Sequence, residues 1–209
     1  IALPPDRDIL HTIPQEFIVD TLEKIDNPIG LTGKRLEGHV HLVTASTTAM
    51  KNLIESAEEL GININGLVFK PLASSMPALT KDEIKLGVSI IDIGSTTTSI
   101  AVYNEGSIRH SAVIPIGSSS ITNDIAVMLR ISIEKAEEIK IKYASAKSSL
   151  SSEKLEFKVA LNEESQMISE NELSQYVEAR MEEIFQLAHN EIKRAGIDNN
   201  LTYRVVLTG

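Results

Sequence analysis

The chain has 209 residues, with 42% hydrophobic and 23% charged residues, a net charge of −9 and no cysteine. Disulfides and thiolate chemistry are thereby excluded, and the acidic balance argues against a general nucleic-acid binder, because neutralising phosphates needs a basic surface. Aromatic residues make up only 4%, too few for stacking along a nucleic-acid strand; no apolar run approaches the ~20 residues of a membrane span, and "IALPPDRDIL" lacks a signal peptide's layout.

Period-two alternation and β-branched runs mark strands, and apolar residues three and four apart mark helices. "DILHTIPQEFIVD" predicts two short extended pieces around Pro14, and "NPIGLTGKRLEGHVHLVTAS" predicts turns followed by a long strand near Arg35–Ala45. "TTAMKNLIESAEELG" is an amphipathic helix stopped by Gly61, and "INGLVFKPLA" reads as another strand. A β-β-α-β module thus fills roughly the first 70 residues. "GVSIIDIG" and "TSIAVYN" form a hairpin, and "SIRHSAVIPIG" continues it after the turn at Asn104, Glu105 and Gly106. Helices follow at "SITNDIAVMLR" and "SIEKAEEIKIKYAS", a strand at "EKLEFKVAL", and a long helix running to Gly196 that opens with the capping box Ser169 and Glu172. "LTYRVVLTG" is the last strand. The chain opens without methionine and stops where a buried strand ends, so an excised part of a longer protein is expected.

Chemistry concentrates in "IIDIGSTTTSIAVYNEG", residues 90–106, where Asp92 ends an apolar run and Gly94 precedes the hydroxyls of Ser95 to Thr98. Such a turn can offer backbone N–H groups to a phosphate, glycine permits close approach, and an aspartate at the strand end suits a hydrated Mg²⁺. A plain hairpin with a solvated tip is the competing reading. Glu137 and Lys140 share a helix face; they suit a ribose and an adenine, or are a solvated ion pair. His39 and His41 alternate on one strand without a third metal ligand nearby, and read as exposed strand residues.

"DIGSTTTSIAVYNEG" resembles the second phosphate motif of the actin/Hsp70/sugar-kinase superfamily, and "VVLTG" the start of its adenosine motif. "HTIPQEFIVD", "NPIGLTGKRLEGHVHLVTAS" and "GSSSITNDIAVML" resemble the FtsA family of bacterial cell-division proteins, over essentially the whole chain. The resemblance implies an α/β fold: an actin-like ATPase half, RNase H-like, with a small α+β insertion subdomain. Residues 1–70 would be the insertion subdomain (SHS2-like, 1C, incomplete), 71–133 with 201–209 subdomain 2A, and 134–200 subdomain 2B.

By position, Asp92 would face magnesium through water, Gly94, Ser95, Thr96 and Thr97 would form the phosphate loop, Glu137 and Lys140 would contact the nucleoside, and Gly209 would begin the adenosine loop. Gly117 precedes a helix whose N-terminus favours phosphate, although Thr122 and Asp124 also read as simple helix caps. No catalytic side chain is implied. Ser95 and Thr96 replace glycines of the family pattern, Ser99 replaces an aspartate, and Lys70 in "KPLASS" replaces a water-positioning glutamate. ATP and Mg²⁺ binding in the full-length protein, weak in this part, with slow or absent hydrolysis is expected. The family role implied is an adaptor that self-assembles into filaments and tethers FtsZ to the inner face of the cytoplasmic membrane through a C-terminal amphipathic helix. Other divisome proteins would dock on the insertion subdomain. The FtsZ C-terminal peptide would bind subdomain 2B, with Arg180, Asn190, Lys193 and Arg194 as exposed candidates. A type IV pilus scaffold or a small-molecule kinase of the superfamily are the alternatives.

Overall fold

A computed structural model describes residues 3–152, 156–161, 164–196 and 205–209. The chain divides into two compact units, Ile1–Ile91 with Ile100–Ala112 and Arg194–Thr208, and Asp92–Ser99 with Val113–Lys193 and Gly209.

The first unit opens with an antiparallel sheet ordered β2-β1-β3, from β1 (Arg7–Val19), β2 (Leu22–Ile25) and β3 (Leu36–Ser46). β1 is one strand, where two pieces are expected, and it pairs with β3 from Arg7 opposite Ser46 to Val19 opposite Leu36. Pro14 has no amide to give the ladder, and the register shifts between Pro14 and Glu16 instead of breaking. Ser46 caps α1 (Thr47–Glu58) by accepting the Ala49 N–H, and Gly61 closes it at φ +75, with the N–H groups of Gly61 and Ile62 on the carbonyls of Glu58 and Ala57.

The expected strand "INGLVFKPLA" is absent. Its first residues form no regular element, and Lys70 begins α2 (Lys70–Ala78). Pro71 decides this, because it cannot donate to a ladder but suits the first turn of a helix. The Phe69 N–H donates to Nε2 of His11 at 2.9 Å. α3 (Lys81–Leu86) follows, opened by a full capping box between Thr80 and Glu83.

A second sheet has the order β6-β5-β4-β9, with β4 (Val88–Ile93), β5 (Thr98–Asn104), β6 (Ser107–Ile114) and β9 (Val205–Thr208). Glu105 and Gly106, both at positive φ, make the two-residue turn between β5 and β6. Leu79, Val88, Ile90, Ala101, Tyr103 and Ile108 form the core of this unit, and Ile13 of β1 packs against it. Residues 201–204 of the expected last strand lie outside the described residues.

The second unit holds α4 (Ser118–Leu129), α5 (Ile133–Tyr143), the hairpin β7 (Glu156–Leu161) and β8 (Glu164–Ser169), and most of α6 (Glu170–Arg194). Ile121, Ile125 and Leu129 of α4 meet Ala136 and Ile139 of α5, Ile168, and Leu173 and Val177 of α6 in one cluster. The first residues of the expected strand "EKLEFKVAL", 153–155, lie outside the described residues. Ser169 accepts the Glu172 N–H as the sequence expects. Ile184, Ala188 and Ile192 are buried, whereas Phe185 is 37% exposed.

Candidate functional site

The hydroxyl-rich turn is tied to the start of α4 by backbone bonds. The Gly94 N–H donates to the Thr97 carbonyl at 2.9 Å; in return the carbonyls of Gly94 and Ser95 accept the N–H groups of Ser118 and Ser119 at 2.9 and 2.8 Å. The Ser119 hydroxyl adds a second bond to the Ser95 carbonyl, and the Thr98 hydroxyl reaches the Ile116 carbonyl, both at 2.8 Å. The first two amides of α4 therefore hold the turn in shape, a different task from the phosphate contact expected of that helix end. Gly117 is required here by proximity: a Cβ would lie 2.5 Å from the carbonyl oxygens of Gly94 and Ser95. Its φ of −151 is ordinary extended backbone. Gly209 passes over Ile93 so closely that a Cβ would sit 2.2 Å from the Ile93 oxygen, and its φ is +146. Asp92 is buried at 3% exposure at the end of β4.

Beside this turn lies a cavity of about 320 Å³ lined by Ser95, Ser118, Ser119, Thr122, Asn123, Ile133, Glu134, Glu137 and Lys140. The structure thus joins one turn residue, Ser95, with both helix residues, Glu137 and Lys140, in a single cavity. Lys140 Nζ lies 2.7 Å from Glu137 Oε2 and 2.8 Å from the Thr122 hydroxyl, which also donates to Glu137. The hydrogen bond from Lys140, then that from Thr122, holds the Glu137 carboxyl below its ordinary range. Sequence reading takes Thr122 for a cap and passes over Ser118, Ser119, Asn123, Ile133 and Glu134; the serine run after Gly117 is the available signal. Asp124 is no cap either. It forms a two-pronged pair with Arg180, Nε to Oδ2 at 2.7 Å and Nη2 to Oδ1 at 2.9 Å.

Arg180 also bonds Glu183 and lines a groove of about 380 Å³ with Asn123, Asp124, Val127, Met128, Tyr176 and Ala179. Asn190 and Lys193 are exposed further along α6, roughly 15 and 20 Å on at ~1.5 Å per residue, so the structure does not bring them to Arg180. Asn190 accepts from Gln186 at 3.2 Å. Arg194 is exposed at the end of α6. His39 pairs with Glu16 at 2.8 Å and His41 with the Ser111 hydroxyl at 2.9 Å. Burial, then His110, keeps the His41 ring below its usual pKa.

Compared with known families, the sequence profile of "Cell division protein FtsA" matches residues 89–205, and that of "SHS2 domain inserted in FTSA" matches residues 1–44. The chain belongs to the FtsA family. It is 39% identical to cell division protein FtsA of Pseudomonas aeruginosa, 40% to that of Borreliella burgdorferi and 36% to that of Escherichia coli K12, in each case over 100% of its own length. It covers 51%, 51% and 52% of these FtsA proteins, about half of each.

The fold agrees. The PilM–PilN type IV pilus biogenesis complex includes a chain similar over 100% of this one and 52% of its own length, with TM-score 0.67 at 16% identity. MreB5 of Spiroplasma citri bound to AMPPNP is similar over 78% of this chain and 54% of its own, with TM-score 0.60 at 20% identity. The fold is therefore that of the actin-like ATPases, here in an FtsA sequence whose residues 1–44 match the SHS2 domain inserted in FtsA. No helix among the described residues is long and apolar enough to cross a membrane.

Proposed function

We propose that this chain is the part of a cell-division adaptor that contributes one wall of an adenine-nucleotide site and one docking face for FtsZ. The observation that carries the nucleotide reading is the cavity joining Ser95 to Glu137 and Lys140. Its donor set fits the group. Hydroxyls of Ser95 and Ser118 suit phosphate or ribose oxygens, Lys140 offers a cation, and Glu137 suits the ribose hydroxyls. Gly117 and Gly209 let neighbouring backbone close directly onto Ile93 to Ser95, which fixes the shape of the turn. Asp92, buried at the strand end, suits a magnesium ion reached through water rather than by direct ligation. ATP, when bound, supplies the phosphate charge that this turn faces; Lys70 stands where the family pattern has a water-positioning glutamate.

Titration of a fluorescent ATP analogue into the full-length protein tests this reading. Lys140→Ala and Glu137→Gln are each expected to weaken binding about tenfold or more, the worth of a hydrogen bond to a charged group. Wild-type affinity in both variants would refute it.

The same adaptor reading has FtsZ's C-terminal peptide bind on the α4–α6 side of the second unit, where Val127 and Met128 are exposed beside Arg180. It has the protein assemble head to tail, receive other divisome proteins on the insertion module, and reach the inner membrane face through a segment outside these residues. The 36–40% identity to cell-division relatives favours this over a pilus scaffold, whose likeness is at 16%.

A further inference from the structure

Thr122 is a buried polar residue, 3% exposed, in the second turn of α4. Its hydroxyl has one proton and two acceptor sites. It donates to Glu137, accepts from Lys140 at 2.8 Å, and lies 3.3 Å from the Ser118 carbonyl. Lys140 Nζ also reaches the Ser118 carbonyl, at 3.4 Å. The Ser118 and Ser119 amides are in turn bonded to Gly94 and Ser95. Thr122 therefore stands between the two charged groups of the cavity, donating to one and accepting from the other, while Lys140 itself makes the contact to Ser118 beside the hydroxyl-rich turn.

We infer that Thr122 is a positioning residue of the nucleotide site, orienting Glu137 and Lys140 toward the nucleoside. The inference rests on the nucleotide reading above. A helix threonine that only back-bonds its own turn would satisfy the carbonyl four residues earlier and nothing else. Here the carboxylate and the ammonium flank the same hydroxyl, and both are 15–44% exposed toward the cavity. Left to themselves, a lysine and a glutamate three apart on a helix hold one another weakly. A fixed, buried hydroxyl between them selects one rotamer of each and leaves their outer faces to the ligand.

The test uses the full-length protein with Thr122→Val, Thr122→Ser, Glu137→Gln and the double variant Thr122→Val with Glu137→Gln. Thr122→Val is expected to weaken the fluorescent ATP analogue about tenfold, with Thr122→Ser close to wild type, because serine keeps the hydroxyl. In the Glu137→Gln background the valine should cost clearly less, since the two residues act through one contact. Equal losses in both backgrounds, or wild-type binding by Thr122→Val, would overturn the inference. A readout without nucleotide separates the two readings: titration of the ¹³C-labelled Glu137 carboxyl should move upward in Thr122→Val and stay near wild type in Thr122→Ser. If the wild type binds no nucleotide, the functional reading fails, and an unmoved carboxyl titration then removes Thr122's role as well. Thermal unfolding of each variant identifies one that fails to fold, and Thr122→Ser then carries the decision: a Glu137 titration shifted by serine as well would overturn the role of the hydroxyl.

Discussion

At the residue scale, two effects decide most of what the site tolerates: van der Waals room and charge. Gly117→Ala asks a methyl group to sit 2.5 Å from two carbonyl oxygens. Backbone cannot step aside as a flexible side chain can, so urea unfolding is expected to show a loss of about 1–3 kcal/mol. Unchanged stability would mean that the turn and α4 are not held as close as they stand. Charge acts more visibly at Glu178, where the hydroxyl and the N–H of Ser148 and then Lys147 depress the carboxyl from 4.5 to about 2. A folded pKa below the unfolded one means stabilisation that is present above pH 4.5 and is lost as the pH falls from there to about 2. Glu137, depressed in the same direction, adds to that acid limb. Glu178→Gln should flatten it in a series of unfolding curves between about pH 5 and about pH 2; an unaltered slope would assign the acid loss to other carboxylates.

At the scale of elements, what could be read in advance follows the strength of the local signal. The apolar runs of β4 and β5, buried along nearly their whole length, and the amphipathic runs of α4, α5 and α6 are visible because packing selects their residues directly. α3 is six residues long, too short for a period, although Thr80 with Glu83 is a capping box in plain sight. Thr80→Ala should cost about 1 kcal/mol of stability; a loss near zero would mean that packing of Ile84 alone holds the helix. β8 escapes because its register is set by β7, from Glu156 opposite Ser169 to Leu161 opposite Glu164, not by alternation of its own. The site was legible in part. Asp92, Gly94 and the hydroxyls stand together in the sequence, but Thr122, Ser118 and Ser119 become site residues only once α4 is folded against the turn. Helix phase and tertiary approach, unlike spacing along the chain, are not written in a short window.

At the scale of the whole molecule, the question is how an actin-like wall behaves when its family pattern is altered at several points. Ser95 and Thr96 in place of glycines add Cβ atoms to the turn, and Lys70 stands where a water-positioning glutamate is expected. The full-length protein should bind ATP and release phosphate at a rate close to background. Brisk release in a phosphate assay would refute this, and Lys70→Glu is the substitution expected to raise the rate. For the partner face, calorimetric titration of the FtsZ C-terminal peptide into the full-length protein should give saturable heat that Arg180→Ala reduces. Part of that loss would come from leaving Asp124 without its two-pronged partner, so Arg180→Lys is the needed control. A different kind of consequence follows from the place of β9 beside β4, with Gly209 resting on Ile93. On the ribosome, β4 is made more than a hundred residues before the strand that completes its side of the sheet. Until then its edge, with Val88, Ile90 and Ile91, offers open amides and apolar side chains to any passing chain. The nascent protein thus waits, for the time it takes to translate α4 through α6, in a form that invites mispairing, and chaperone demand should peak in that interval.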